Sequence, residues 1–600
     1  DVYKRQVLSV GQRPSPSVME TAEILGLELQ EPGYPVLRNG FETSREGIFA
    51  CGAGTKPLDI PATIMESMAC ASEILSFVEG EEEEAVQCEL TYPPKVLVVG
   101  CVCGGTMADG WEEDVELLDL ICQDEGEVML AEAIKRSGAN RLVVAGCAPY
   151  GIRERILRVA RECGIPSVGV EIVDVREKGI WVGLDRKELI DTAVKKVREA
   201  TQKGYTIPEK IDRVCIIGAG ISGIMAGEAV ARVGIPVVIV DKAQEALGFY
   251  ANRKHLLDIE KPFVERAGEA LERLKGMDNV EIQLGREVVG IEGRPGRYGV
   301  VIKDGDNEYI EEVGAIIVAV GADEITEGVI PLGGKVITLG ELPAKLDEDF
   351  SGKTVCFVLC AGSRNDEHPW CSLTCCTESL QRALDLASAG ANVYVLYRDI
   401  NTPGFKELVY KSAREKGVVF VPYPDGEPPV MEGDTLRVKD RIIQRVLEIQ
   451  PDLVVCAMGM KPRDGFVSVD DCGFVEVANV KYRPVDTEMG GIFVCGSASY
   501  PMFPEMAVAS GESAGLQALG FLKEWDKPVR GRIATVIERK CVGCGLCVKA
   551  CPYSARFLED GIALVIPSLC QGCGNCGVAC PSGATVVMGF TDREAFTIVE

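Results

Sequence analysis

Val214-Cys-Ile-Ile-Gly-Ala-Gly-Ile-Ser-Gly223 decides the architecture of most of this chain. Its first four residues read as a short buried strand, and the helix that follows runs to about Val233. A second strand, Val237–Val240, ends at Asp241. A G-x-G-x-x-G turn between strand and helix, with an acid about 20 residues on, is the dinucleotide-binding context. Gly218 allows the tight turn, Gly220 lets the backbone approach a pyrophosphate, and Gly223 lets the helix pack close to the strand. The helix N-terminus then faces the phosphates, and Asp241 is placed for the ribose hydroxyls.

Two segments further along favour FAD over NAD. Ile316-Ile-Val-Ala-Val-Gly321 is the apolar strand ending in glycine that closes the first half of a two-part FAD domain. Gly491-Ile-Phe-Val-Cys-Gly496 closes the second half. Many such domains carry Asp after that last glycine, where this chain has Ser497. Between the halves, at about 351–452, lies a domain in the place an NAD(P)H domain takes in thioredoxin-reductase-like enzymes. Its first strand runs into Cys360-Ala-Gly-Ser-Arg364 with no second glycine fingerprint, so a nicotinamide is not expected there. Cys371, Cys375 and Cys376 are expected to begin the next helix, with Cys371 and Cys375 on one face. With Cys360 they suit a [4Fe-4S] cubane, and a redox-active dithiol is the rival reading.

The first 80 residues echo the second FAD half. Gly47-Ile-Phe-Ala-Cys-Gly52 matches Gly491-Ile-Phe-Val-Cys-Gly496, and Val7–Pro14 matches Val455–Pro462. Residues 7–78 are therefore expected to be the tail of an upstream FAD module. Residues 1–6 resemble a sequencing-adapter scar, and the natural chain is expected to start earlier. An acidic linker is expected at 79–93. The FAD halves are placed at 210–350 and 453–525.

Near the C-terminus, Cys541, Cys544, Cys547 and Cys551 read C-x2-C-x2-C-x3-C and are followed by Pro552. Cys570, Cys573, Cys576 and Cys580 repeat the spacing before Pro581. This is the two-cluster ferredoxin run, whose fourth cysteine serves the other cluster. One cubane takes Cys541, Cys544, Cys547 and Cys580; the other takes Cys570, Cys573, Cys576 and Cys551. The domain is placed at 530–588. Two structural zinc sites are the bland alternative, but zinc motifs rarely use this eight-cysteine pattern.

Residues 94–205 read as an α/β domain, with strands at Val96–Val99, near Ile121, at Leu142–Ala145 and at Val168–Val173. Cys101, Cys103, Cys122 and Cys147 fall where those strands stop, along the carboxyl edge that parallel sheets use for ligands. They suit a fourth cubane. Scattered core cysteines and a thiol redox site are the alternatives.

Composition agrees with cluster chemistry and excludes other classes. A net charge of −28 argues against nucleic acid, which needs a basic face. Twenty-five cysteines at ligand spacings point to a reducing compartment, so a cytoplasmic location is expected. Only His255 and His368 are present, which disfavours a histidine metal site or triad. No uncharged apolar run reaches membrane-spanning length.

Together these residues resemble the A subunit of heterodisulfide reductase, a flavin iron–sulfur family, over nearly the whole chain. The marks are Cys101-Val-Cys103-Gly-Gly, Cys122, Cys147-Ala-Pro149, Val175-Arg-Glu177 with Trp181, Cys360-x-Gly-Ser-Arg364 with Cys371-x3-Cys375-Cys376, and Gly589-Phe-Thr-Asp592. Gly179 stands where the family's R-E-x-C cysteine falls, and the family's inserted ferredoxin is absent. The resemblance implies an oxidoreductase component that relays electrons between FAD and cubanes, with flavin-based bifurcation as a further role. It implies partners within such a complex, with hydrogenase, formate dehydrogenase or ferredoxin supplying or taking electrons. No catalytic residue is assigned. A self-contained thiol–disulfide oxidoreductase using Cys375 and Cys376 is the alternative, and a non-catalytic electron conduit is another.

Overall fold

The computed structural model describes residues 12–38, 40–75, 88–107, 109–149, 152–200, 208–250, 255–463, 465–525 and 533–588. The expected scar at 1–6, the start of the Val7–Pro14 echo, most of the acidic linker and the Gly589–Asp592 ending lie outside them, as does the side chain of Trp181. The chain divides into two compact units, one of residues 1–79 with 210–522 and one of 80–209 with 523–600. Among the described residues, no helix is long and apolar enough to cross a membrane.

The first unit holds two parallel five-stranded sheets, the α/β class expected for a two-dinucleotide-domain flavoprotein. In one, Ile492–Val494, Ala315–Val318, Val214–Ile217, Val237–Asp241 and Val280–Leu284 lie side by side in that order. The inner strands are short and apolar because both their faces are covered, as parallel strands require, while the edge strand Val280–Leu284 carries exposed Glu281. A three-stranded antiparallel sheet, Glu287–Arg294, Arg297–Asp304 and Asn307–Val313, adds Val300, Ile302 and Val313 to the core beneath.

The second sheet orders Val336–Thr338, Leu453–Cys456, Thr354–Val358, Asn392–Tyr397 and Val419–Pro422. This corrects the 351–452 boundary. Val336–Thr338 was allotted to the first FAD half and Leu453–Cys456 to the second, yet both pair inside the inserted sheet. A buried apolar tetrapeptide fits either sheet equally well, so only pairing decides. The antiparallel pair Ala322–Glu324 and Met460–Pro462 marks the real crossing between the sheets.

Residues 41–75 repeat the end of the second FAD half at an offset of 444 and share several of its backbone bonds. Ala50 N–H donates to Phe41 and Thr43 N–H to Ile48, as Val494 does to Val485 and Thr487 to Ile492. Gly52 (φ 71°) and Gly496 (φ 64°) both sit in the left-handed region that glycine tolerates best. The Gly52 N–H is held by Glu66 and the Gly496 N–H by Ser510, each fourteen residues on. The helices that follow, Ile60–Leu75 and Pro504–Glu524, meet where Ser513 Oγ donates to the Met65 carbonyl at 2.7 Å. Met65, Ala69 and Cys70 thereby enter the flavin-domain core.

In the second unit, the α/β domain has the parallel order Glu116–Leu118, Val96–Cys101, Arg141–Gly146, Val170–Asp174. Three expectations change. The edge strand ends at Leu118, not near Ile121, because Leu120 turns into the left-handed region (φ 43°). Ser167–Gly169 is a 3-10 turn, and the strand starts only at Val170. Residues 88–93 are not free linker, since Asn140 Nδ2 donates to the Thr91 and Pro93 carbonyls and Cys88 Sγ to that of Arg161.

The C-terminal domain is built from two copies of one motif, 29 residues apart. Ala534–Val536 pairs with Thr585–Val587, and Arg556–Glu559 with Ile562–Val565. The short helices Leu546–Lys549 and Asn575–Val578 each begin after a left-handed glycine, Gly545 and Gly574.

Candidate cluster and flavin sites

The two cysteine runs of the C-terminal domain have matching exposure. Cys544 and Cys573 are exposed, Cys547 and Cys576 are buried, and the outer pairs are intermediate. One cavity is lined by Cys570, Cys573, Cys576 and Cys551, with Tyr553 and Arg556 among its other walls. Three of its cysteines come from one run and Cys551 from the other. Backbone donors point at the thiols reciprocally: Ala534 N–H to Cys570 Sγ and Ala563 N–H to Cys541 Sγ, both 3.4 Å. Cys580 accepts from the Ala584 N–H at 3.2 Å and lies 3.6 Å from the Ser582 hydroxyl, and its thiol is brought down to about 7 against the cost of burial. Donors aimed at sulfur favour thiolate, the form that binds iron. Among the described residues, no three Cys, His, Asp or Glu converge as the ligands of one ion would. Cubane thiolates each bind a different iron, so convergence on one point is not what they need.

The glycines of the 218–223 turn differ in their surroundings. Gly218 has φ 117°, and a Cβ there would lie 2.3 Å from the Ala319 carbonyl oxygen. A Cβ on Gly223 would lie 2.0 Å from the Gly218 oxygen. Gly220 has nothing within 4 Å, which leaves space where a pyrophosphate would approach. Both oxygens of Asp241 accept backbone N–H groups, from Ala219 at 2.6 Å and Ala243 at 2.8 Å. Asp241 thus braces the glycine turn and keeps lone pairs free for a ribose. Gly321 follows Ala315–Val318 in the turn before Ala322–Glu324, with φ 72°. On the last strand, Gly496 is crowded by Ser222 of the glycine-turn helix, since a Cβ would meet its Oγ at 2.2 Å.

In the inserted sheet, Cys360 follows the central strand in a left-handed conformation (φ 56°) that a non-glycine residue adopts at some cost. Arg398 braces the turn by donating to the carbonyls of Ser363 and Arg364 at 3.0 and 2.7 Å. The next helix begins at Cys375, so Cys371 is not helical, which corrects the shared-face expectation. Left-handed Leu373 (φ 57°) breaks the run, and the Leu373 N–H donates to Cys371 Sγ at 3.4 Å. The four thiols still feel one another. Cys375 is pushed well up, first by its hydrogen bond with Cys376 and then by burial, with Cys360 and Cys371 adding to it. The same bond brings Cys376 down to about 7. Burial raises Cys360, which Arg398 and Arg364 oppose.

The four cysteines of the α/β domain also gather at one sheet edge. Burial raises Cys101, with Cys147 and Cys122 adding to it, and Cys103 (φ 49°) responds to burial and then to Cys147. Arg176 Nη1 reaches Cys147 Sγ at 3.3 Å and Cys103 Sγ at 3.6 Å. Glu177 accepts the Ala148 N–H at 2.8 Å, which fixes the turn after Cys147. Asp119 accepts the Gly104 N–H at 2.6 Å, which fixes the turn after Cys103. Gly179 contributes no thiol. Sequence reasoning saw Arg176 and Glu177 only as family marks; the strand-end position of Cys147 was the available clue to their contacts. It missed the pair Cys51 and Cys70, in which hydrogen bonding from Cys70 brings Cys51 down to about 6.

Residues 540–584 match the family described as 4Fe-4S dicluster domain. The chain is 26% identical over 561 residues to the iron-sulfur A subunit of a CoB–CoM heterodisulfide reductase from Methanopyrus kandleri, covering 72% of this chain and 84% of that protein. It is 26% identical over 609 residues to the A subunit of the H2:CoB-CoM heterodisulfide, ferredoxin reductase of Methanothermobacter marburgensis, covering 78% and 91%. Among solved structures, T. acidophilum thioredoxin reductase matches 52% of this chain and 98% of its own, at 20% identity and a TM-score of 0.40.

Proposed function

Because this chain is related over most of its length to the A subunits of heterodisulfide reductase, we propose that it is the FAD and [4Fe-4S] electron-transfer component of a cytoplasmic complex of that kind. It is an oxidoreductase. The observation that carries the reading is the cavity in which Cys551 joins Cys570, Cys573 and Cys576, in one chain with an open glycine cradle at Gly220. FAD, when bound, exchanges one or two electrons, and each cubane exchanges one. The protein's part is to hold and insulate. Gly218, Gly220 and Gly223 shape the pyrophosphate seat, Asp241 holds the turn, and Gly321 and Gly496 follow the flanking strands. Cys541, Cys544, Cys547 and Cys580 hold one cubane and Cys570, Cys573, Cys576 and Cys551 the second. We assign a third to Cys360, Cys371, Cys375 and Cys376 and a fourth to Cys101, Cys103, Cys122 and Cys147. In the finer form of the proposal the flavin divides electron pairs between two partners. Partner subunits carry the disulfide chemistry, and a hydrogenase, a formate dehydrogenase or a ferredoxin exchanges electrons with the chain.

A second reading, a self-contained disulfide reductase, draws on the lowered Cys376 thiol at a helix start. Reductive titration of the anaerobic full chain separates the two. The relay predicts that flavin absorbance and cluster EPR signals both respond, and that Gly220→Val removes the flavin while the C-terminal iron stays. Turnover of a small disulfide with NADPH by this chain alone, undiminished by Cys576→Ser, would put the second reading first.

A further inference from the structure

The 29-residue repeat of the C-terminal domain is close to symmetric, so the positions where it breaks are informative. Arg556 and Thr585 occupy equivalent places, five residues after Cys551 and Cys580. They also meet: Arg556 Nη2 donates to Thr585 Oγ1 at 2.9 Å. One copy thus carries a cation where the other carries a hydroxyl. Arg556 is 3% exposed, yet its Nε and Nη1 have no hydrogen-bond partner. No carboxylate pairs with it among the described residues. Its side chain lines the cavity of Cys551, Cys570, Cys573 and Cys576. Leaving two guanidinium nitrogens buried and unsatisfied is costly unless an acceptor arrives.

We propose that Arg556 is a tuning residue that makes the cubane held by Cys570, Cys573, Cys576 and Cys551 the more easily reduced of the pair. The inference rests on the dicluster reading. Reduction adds one negative charge to the cluster and its thiolates. A fixed cation in a low-dielectric wall, and N–H donors toward sulfur, both favour the reduced form. The cubane of Cys541, Cys544, Cys547 and Cys580 has at the equivalent place only a neutral hydroxyl. Arg556 therefore favours passage of one electron from that cubane to its neighbour. No bond changes and no proton moves, because a guanidinium keeps its charge in proteins. Arg176 beside Cys103 and Cys147 is a like arrangement at another candidate site, so a cation next to thiols recurs in this chain.

The test is an EPR-monitored redox titration of the full chain, with iron counted in parallel. Arg556→Met is expected to move the more positive dicluster signal downward. At fixed potential its reduced-to-oxidised ratio falls about tenfold, or about 59 mV for one electron. The other signal stays. Arg556→Lys keeps the charge and restores most of the shift. The exchange Arg556→Thr with Thr585→Arg is expected to reverse which cubane is reduced first. Unmoved midpoints, or both signals moving together, with iron retained would overturn the inference and leave the dicluster reading intact. Equal iron loss in the Met and Lys variants would also overturn it, because Arg556 would then serve packing. Two cubanes missing from the unmodified chain would instead refute the dicluster reading.

Discussion

The C-terminal runs and the strand-end cysteines gather thiols by opposite means. In the former, three of each four ligands sit within seven residues of loop and turn, so local backbone sets their spacing. In the latter, Cys101 and Cys147 lie 46 positions apart, and Cys360 and Cys375 lie 15 apart. Cys101 and Cys147 stand at the ends of adjacent parallel strands, and Cys360 and Cys375 at the end of a strand and the start of the helix that follows it. The lesson concerns dependence. A loop-written site needs its loop, and a sheet-edge site needs the whole sheet to be folded.

Breaking ligands gives the largest expected effects. Cys576→Ser should remove about four irons, the content of one cubane, while Cys375→Ser with Cys376→Ser should remove the same number from a different site. Iron analysis and EPR on each variant check both. The next largest effect separates the two kinds of site. Phe357 is fully buried in the inserted domain's core. Phe357→Ala should cost about 3–5 kcal/mol and deplete iron at Cys360–Cys376 with the C-terminal signals unchanged. Equal depletion of both would erase the distinction. A smaller effect is expected at Arg176, which touches two thiols from outside the ligand set. Arg176→Met should weaken iron retention against a chelator about 10- to 100-fold, with no change in the fold seen by circular dichroism.

Part of this organisation was legible in sequence because it is local. The glycine turn at 218–223 and the cysteine runs carry their spacing with them, and both strands flanking the turn are where the pattern put them. What was not legible depends on contacts between distant segments. Leu453–Cys456 is equally suited to either sheet, and pairing alone puts it beside Thr354–Val358. Cys371 matched a helical spacing, but left-handed Leu373 keeps it in the loop. Arg556 carries no mark in its local sequence, and its orphaned nitrogens show only with the cavity in place. The Gly52–Gly496 echo is legible as a motif, while the backbone bonds the two copies share show only in the fold.

The smallest expected effect is a pH dependence confined to the unit that carries the flavin. Burial raises the Glu512 carboxyl to about 7 despite Arg266, with Glu73 and Glu228 adding to it. A folded-state value above the ordinary carboxylate range means that the fold prefers the protonated form. The stability it contributes is present at low pH and is lost as pH rises through about 7. On warming, bound FAD should therefore be released sooner at pH 8 than at pH 6. Glu512→Gln should remove the difference.

The central claim is that sheet-edge cysteines and loop cysteines alike hold cubanes in a chain that also holds one flavin. Iron, acid-labile sulfide and FAD per anaerobically purified chain test it most directly. The account predicts about sixteen irons, four per cubane, with one FAD. About eight irons would confine clusters to the C-terminal runs and contradict the claim, leaving the cysteines at 101–147 and 360–376 to thiol chemistry or packing.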